Sequence, residues 1–294
     1  MRATLLVLPG LLTALPLAAQ GRPDFEFRRE LAQGKRFHLS NVLGDVQVSG
    51  GAGRTVEVTA VKKARRYGEP ADVTVETIEL DDGVALCVRY PAQGSRRPPT
   101  PEQLARNPCS SGSWEGGDWH DRGHRNDTEV SFTVRVPAGL RLYLGTVSGD
   151  VRAERLEGDL ELRSVSGDVR LAGGTGPAID LETVSGSVTL LHIRSKDVSG
   201  HTVSGEIGFE GPIQDGGTYD FSTTSGDVSV RLPARPNATL SAATFSGRLS
   251  SDLPITPNES RRHRRRYAAT WGSGSARLDM ESLSGDLSIR VADR

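Results

Sequence analysis

From residue 146 onward the chain repeats one short phrase. Ser or Thr stands three positions before a glycine, Ser stands one before it, and an aliphatic residue follows two after it. The copies turn on Gly149, Gly167, Gly186, Gly205, Gly226, Gly247 and Gly285, at spacings of 18, 19, 19, 21, 21 and 38, the last a doubled period. A unit of ~20 residues cannot bury an apolar face alone, so a fixed period of this size means units stacked on one another. The glycine reads as a turn residue, free to take positive φ, and the serine beside it as a local hydrogen-bonding partner for the turn backbone. After the turn the pattern alternates as a strand does, in Asp168-Val169-Arg170-Leu171 and Asp227-Val228-Ser229-Val230. A half-period echo at Leu156-Glu157-Gly158-Asp159-Leu160 predicts two short strands and two turns per period.

These features predict an all-β chain: a β-solenoid of stacked coils of about 19–21 residues, neighbouring strands ~4.8 Å apart, with an N-terminal β cap. An antiparallel β-sandwich or meander with hairpins every ~10 residues is the alternative. In-phase repetition favours the solenoid, because stacked coils place the same residue at the same corner. With 34 Gly and 5% aromatics, the composition fits many tight turns and thin cores and does not fit a helical enzyme.

Residues 1–20 read as a signal peptide: Arg2, an apolar run through Leu17 broken by Pro9, Gly10 and Pro16, and a small-residue site at Ala18-Ala19-Gln20. No other stretch has the ~20 apolar residues of a membrane-spanning helix. Residues 21–136 read as an N-terminal β region and residues 137–294 as the solenoid, with an insertion at 254–270. In the first region Gly44-Asp45 echoes the later turns, and Asp81-Asp82-Gly83 joins two strand patterns into a capping hairpin. Residues 91–127 break the pattern with Pro, Gly, Ser and charge, and a loop of that length is either functional or disordered. The two cysteines, Cys87 and Cys109, are expected to pair in an exported chain and pin this loop to the strand before it.

The repeated [ST]-x-S-G-[DES]-[VIL] phrase resembles the bacterial putative-adhesin family of Ser-Gly-turn β-strand repeats, a domain-of-unknown-function family. The stretches Val230-Arg231-Leu232-Pro233-Ala234 and Gly272-Ser273-Gly274-Ser275-Ala276-Arg277-Leu278 are similar to it as well. The resemblance covers roughly residues 130–294 and, more loosely, 35–90. It implies a right-handed β-solenoid and an exported or surface location, and it brings no catalytic residues.

Candidate chemistry concentrates where the repeat is interrupted. Trp114, Trp119, His120 and His124 form a candidate binding loop, since exposed aromatics are common contact anchors. His120 and His124 have a helical metal-ligand spacing, but the glycines around them argue against a helix, and no metal is assigned. The acidic residues after the turn glycines (Asp150, Asp168, Glu206, Asp227, Asp286) are interrupted by Ser187 and Arg248 and lack the calcium-binding nonapeptide, so they read as solvated corners. The run Arg261-Arg262-His263-Arg264-Arg265-Arg266 reads as an exposed insertion between coils, with anionic polymer as its alternative ligand. The turn serines have no fixed His partner and read as turn residues before nucleophiles. A net charge of -1 and the export signal argue against nucleic acid.

The expectation is an exported, non-enzymatic β-repeat protein without cofactor, an adhesin or binding scaffold of the cell envelope. It would be periplasmic, on the cell surface or secreted, and its partner a cell-surface glycan or an envelope protein. An envelope-stress or signalling accessory protein that binds a membrane partner is the first alternative, and a polysaccharide-processing enzyme the second.

Overall fold

The structure, a computed structural model, describes residues 23–91, 96–97, 107–110, 113–114, 126–258 and 265–292. Each repeat forms one coil. The coil crosses a first face, turns at Ser-Gly, crosses a second face and returns round a far corner. Strand Val151–Ser166 shows the path. Its first residues pair with Val46–Gly50 on the second face, and residues 158–166 pair with Leu140–Ser148 on the first. These pairings, and those between all the repeat coils, are parallel. The β-solenoid is therefore the fold, and within its sheet, among the described residues, antiparallel pairing is confined to the ends.

The core lies between the two faces, where alternate residues point inward in columns. One column runs Phe37, Leu142, Leu160, Ile179, Val198, Tyr219, Leu278, Leu240 along paired strands. Another, on the second face, runs Val46, Val151, Val169, Val188, Ile207, Val228, Leu287. All are buried. Where a larger side chain enters, a neighbour is small: a Cβ on Gly200 would meet the Phe221 ring at 3.2 Å and Leu190 at 3.3 Å.

Spatial order departs from sequence order at both ends. Strand Arg36–Ser40 lies between Gly83–Arg89 and Leu140–Ser148, so a coil made later in sequence stacks outside the first one. Beyond it, Thr74–Leu80 covers one face and Thr55–Lys63 with Phe25–Glu30 the other, all antiparallel. At the C-terminal end, Ala276–Ser284 lies between Thr218–Ser225 and Ala238–Thr244, and Leu287–Val291 lies between Val228–Leu232 and Leu249–Ser251. The doubled spacing thus does not mark a missing coil. Its strands Thr256–Asn258 and Arg265–Thr270 run antiparallel beyond Ala238–Thr244. This corrects the expectation of an insertion between coils: residues 265–270 form an end cap. Trp271, 8% exposed, sits at this end and donates its indole N–H to Pro254 O at 2.9 Å.

Candidate functional site

The turns stack into one straight edge in the order Gly44, Gly149, Gly167, Gly186, Gly205, Gly226, Gly285, Gly247. Five of the sequence-predicted turn glycines, Gly149, Gly167, Gly186, Gly205 and Gly226, have positive φ of 148–155°. Gly247 and Gly285 are not among the positive-φ residues, yet both obey the stronger constraint. A Cβ on Gly186 would lie 2.1 Å from Gly167 O, and one on Gly285 would lie 1.9 Å from Gly226 O. Close stacking of turn on turn, more than φ, requires glycine here.

The Ser or Thr three residues earlier is the hydrogen-bonding partner, and its bond is not local. Thr146, Ser164, Thr183, Thr202 and Thr223 each donate the hydroxyl to the turn-glycine carbonyl of the preceding coil, as do Ser282 to Gly226 O and Thr244 to Gly285 O, all at 2.9–3.1 Å. The ladder ends on a different donor: the Arg265 guanidinium donates to Gly247 O at 2.9 Å. At its other end Asn41 donates to Gly44 O at 2.9 Å and Val130 O at 2.8 Å.

The acidic column is engaged as well. One carboxylate oxygen of Asp45, Asp150, Asp168, Asp227 and Asp286 accepts the backbone N–H of the same position in the next coil, at 2.7–2.9 Å. The residue between Ser/Thr and Ser has no such duty. It is apolar in six of the seven copies and points outward: Val147, Val165, Val184, Val203, Leu283 and Phe245 are each 42–54% exposed. One apolar side chain in every repeat coil but that of Thr224, which stands between Val203 and Leu283, thus forms a ridge along the edge, beside a rail of carboxylates. The pattern was legible in the sequence but carried no weight there, because a valine in a β-rich chain reads as core.

The loop expected at 91–127 is tied down at its base. Cys87 and Cys109 are disulfide-bonded, with Cα atoms 5.3 Å apart, and Arg89 donates to Cys109 O at 2.8 Å. The Tyr90 hydroxyl donates to Thr128 O across the loop mouth, and burial pushes its pKa up to about 12. Ser113–Trp114 pairs with Arg96–Arg97 as a small antiparallel ribbon. Trp119, His120 and His124 lie outside the described residues, as do Arg261, Arg262, His263 and Arg264.

On the outer side of the first face, His38 is 2% exposed and stacks on Tyr143 with ring centroids 4.3 Å apart. Burial, reinforced by Arg36, lowers its pKa to about 4. Arg163 lies 5.9 Å from the centre of the Tyr143 ring and pairs with Glu161, Asp180 and Glu182. Further along, His201 Nδ1 and Ser222 Oγ are 2.7 Å apart. Nearby on this face the Ser199 hydroxyl donates to Asp180 at 2.6 Å. The His201–Ser222 pair sits where backbone N–H groups are committed to parallel ladders on both sides, which leaves no backbone donors to stabilise an oxyanion. Asp220, two residues from Ser222, has its pKa raised by burial. A groove of about 240 Å³ at the far corner is lined by His192, Arg194, Glu210 and Arg231, with Glu210 paired to His192 and Arg231. Among the described residues no cluster of three or more His, Cys, Asp or Glu is placed to hold a metal ion.

Parallel coils, a glycine turn column and a hydroxyl ladder define a β-solenoid repeat protein. The family model described as Toastrack DUF4097 matches residues 125–290, and the chain belongs to that family. No curated protein matches the chain. Among solved structures it is similar to a putative cell adhesion protein from Clostridium sporogenes ATCC 15579, at 9% identity over 92% of this chain and 100% of that one, with a TM-score of 0.35. It is also similar to a putative adhesin from Bacteroides fragilis NCTC 9343, at 11% identity over 90% of this chain and 96% of that one, with a TM-score of 0.40. A third, a putative adhesin from Parabacteroides distasonis ATCC 8503, shares 11% identity over 90% of this chain and 96% of that one, with a TM-score of 0.32.

Proposed function

We propose that this protein is an exported, non-enzymatic binding scaffold of the cell envelope that holds a partner protein along its Ser-Gly edge. The exposed ridge of Val147, Val165, Val184, Val203, Leu283 and Phe245 carries this reading. Val147, Val165, Val184 and Val203 follow one another on successive coils, and apolar surface of this kind rimmed by polar groups marks an interaction site, since leaving it in water is unfavourable. Its aliphatic character suits a protein surface better than a glycan, which is held by aromatic faces and convergent hydrogen bonds. Export is supported by the apolar leader of residues 2–17 with its small-residue site, and by the disulfide. The non-enzymatic reading is supported by the structural employment of the turn carboxylates and hydroxyls.

The test replaces Val165, Val184 and Val203 together with Ser and measures binding of the purified protein to whole cells, before and after protease stripping of surface proteins. Since the three side chains lie on the surface, each change is expected to cost within about 0.5 kcal/mol of stability. Binding is expected to fall sharply in the variant and after stripping. Undiminished binding by the variant overturns the ridge. Retention on stripped cells points instead to a glycan, and hydrolysis of a polysaccharide panel would restore the enzyme.

A further inference from the structure

The chain reaches its outermost C-terminal coil, residues 238–251, before it makes the coil that fills the gap behind it, residues 276–291. Residues 238–292 therefore form a unit that contains both of these coils and the antiparallel cap. Ala238 and Trp271 exchange backbone hydrogen bonds within it at 2.8 and 3.0 Å. The unit joins the rest of the solenoid covalently only through residues 233–237. It docks through strands Ala276–Ser284 and Leu287–Val291 against Thr218–Ser225 and Val228–Leu232.

We propose that this docking edge also accepts the same unit from a second copy of the chain, so that two molecules exchange residues 238–292 about the hinge at 233–237. The bonds across the edge are those of any two neighbouring coils. Ser282 donates to Gly226 O at 2.9 Å, Asp286 N–H donates to Asp227 at 2.7 Å, and Val228 N–H donates to Asp286 O at 3.0 Å. Leu278, Met280, Leu287 and Ile289 of the unit are at most 1% exposed. A unit supplied by another chain makes every one of these contacts, and the two states differ only at the hinge, where in the closed monomer Pro236 is buried and Asn237 donates to Asp215 at 3.0 Å and accepts from Ser273, Ser275 and Ala276. In the closed monomer the five hinge residues bridge two coil pitches, roughly 9.6 Å. The hinge reads Pro233-Ala234-Arg235-Pro236-Asn237, and its two prolines bias it toward an extended path of roughly 15 Å, long enough to pass to a neighbour. Two edges of matching register are open whenever the hinge is extended, and unpaired parallel edges of this kind seek another strand. An exchanged pair would carry two copies of the Ser-Gly edge on one particle, which multiplies contact with a surface.

The experiment uses Ser229 and Ser288, which face each other across the docking edge. The variants Ser229→Cys and Ser288→Cys are unfolded together in urea with Cys87–Cys109 intact, refolded and oxidised. A disulfide joining one chain of each kind forms if the unit of one has docked on the other. Because a tethered unit has an effective concentration near the millimolar range, the mixed species is expected to rise from under about 1% at ~1 µM chain to about a tenth at ~200 µM. The double variant Ser229→Cys/Ser288→Cys is expected to bridge within one chain at the lower concentration. Absence of the mixed species at the higher concentration, with the double variant bridging within its own chain, overturns the exchange. Failure of the double variant to bridge at all overturns the pairing on which it rests.

Discussion

Gly186→Ala isolates the claim that coil stacking leaves no room at the turn. Its new Cβ would lie 2.1 Å from Gly167 O and 2.6 Å from the carbonyl carbon, where backbone cannot yield as a flexible side chain would. Restoring ordinary contact requires the two turns to separate by roughly 1 Å, against the backbone ladders that hold neighbouring coils together. At that corner Thr183 Oγ1 donates to Gly167 O at 2.9 Å, Gly167 N–H donates to Ser185 O at 3.0 Å, and Ser187 N–H donates to Asp168 at 2.8 Å. Losing the hydroxyl bond and weakening a neighbour costs about 1 kcal/mol each. Overpacking in such a setting adds about 1–3 kcal/mol. The expected loss is then about 3–5 kcal/mol by these increments. At on the order of 2–4 °C per kcal/mol for a domain of this size, Tm falls by about 6–20 °C. Two controls separate the causes. Gly173 has φ +77° but its nearest contacts are at 3.7 Å, so Gly173→Ala bears only left-handed strain, about 1 kcal/mol. Gly208 has open space around it, so Gly208→Ala is expected to be neutral or to gain about 0.5 kcal/mol through the unfolded state. Thermal unfolding followed by circular dichroism reads all three. If Gly186→Ala loses no more than Gly173→Ala, the close-stacking explanation is refuted.

Thr183→Val keeps the shape and removes the donor to Gly167 O, and urea unfolding should show a loss of about 1–2 kcal/mol; no loss would mean that the hydroxyl ladder is ornamental to stability. His38 is held neutral with its pKa lowered to about 4, whereas the unfolded chain protonates near the ordinary 6.5. Its contribution is complete above pH 6.5 and is lost as pH falls toward 4, about 3 kcal/mol over that window. Urea titrations at pH 7 and 4.5 should therefore show a smaller acid loss for His38→Gln than for the parent, and equal losses would count against this assignment. Reducing the Cys87–Cys109 bond, which closes a 22-residue separation, should cost about 3 kcal/mol in the same assay, with no effect expected if the unfolded loop is already ordered.

The parallel β-solenoid was legible because its repeat is in phase: seven glycines at one corner dictate one geometry. The reason for the glycines was only half legible. Turn chemistry suggests positive φ, but the decisive contact is between a glycine of one coil and the carbonyl of the next, and no local pattern reports a contact between residues 19 apart such as Gly186 and Gly167. The same holds for Thr183, whose hydroxyl reaches the preceding coil rather than its own turn. The ridge was visible as a valine, leucine or phenylalanine in six copies of the phrase. What the sequence does not display is which strand face Val165 occupies when Ser164 is drawn inward to bond Gly149 O at 2.9 Å. His38 is hidden for a related reason. It occupies an outward position of strand Arg36–Ser40, yet only 2% of it is exposed.

The order of the coils was not legible, and the cause is physical. Coils that share one phrase have nearly the same edges, so the energy of a stack depends weakly on which copy sits beside which. The edges themselves then do not enforce sequence order. Gly149, Gly167, Gly186, Gly205 and Gly226, 18–21 residues apart, stack in order, but Gly247, also 21 residues beyond Gly226, lies two pitches away, so spacing alone does not set the order. The 38 residues between Gly247 and Gly285 give the chain length to cap the end and turn back, and the final coil takes the slot that Gly247 left open beside Gly226. There it gains ladders on both sides instead of one, and its apolar residues are covered from both directions. The same latitude acts at the other end, where the coil of Gly83–Arg89 stacks outside that of Arg36–Ser40. Ends built this way leave the outermost positions to coils backed by antiparallel caps, which terminate a sheet that repeats alone would extend without limit. Interchangeable edges that let a chain insert its own last coil out of turn are also what would let it accept one from a neighbour.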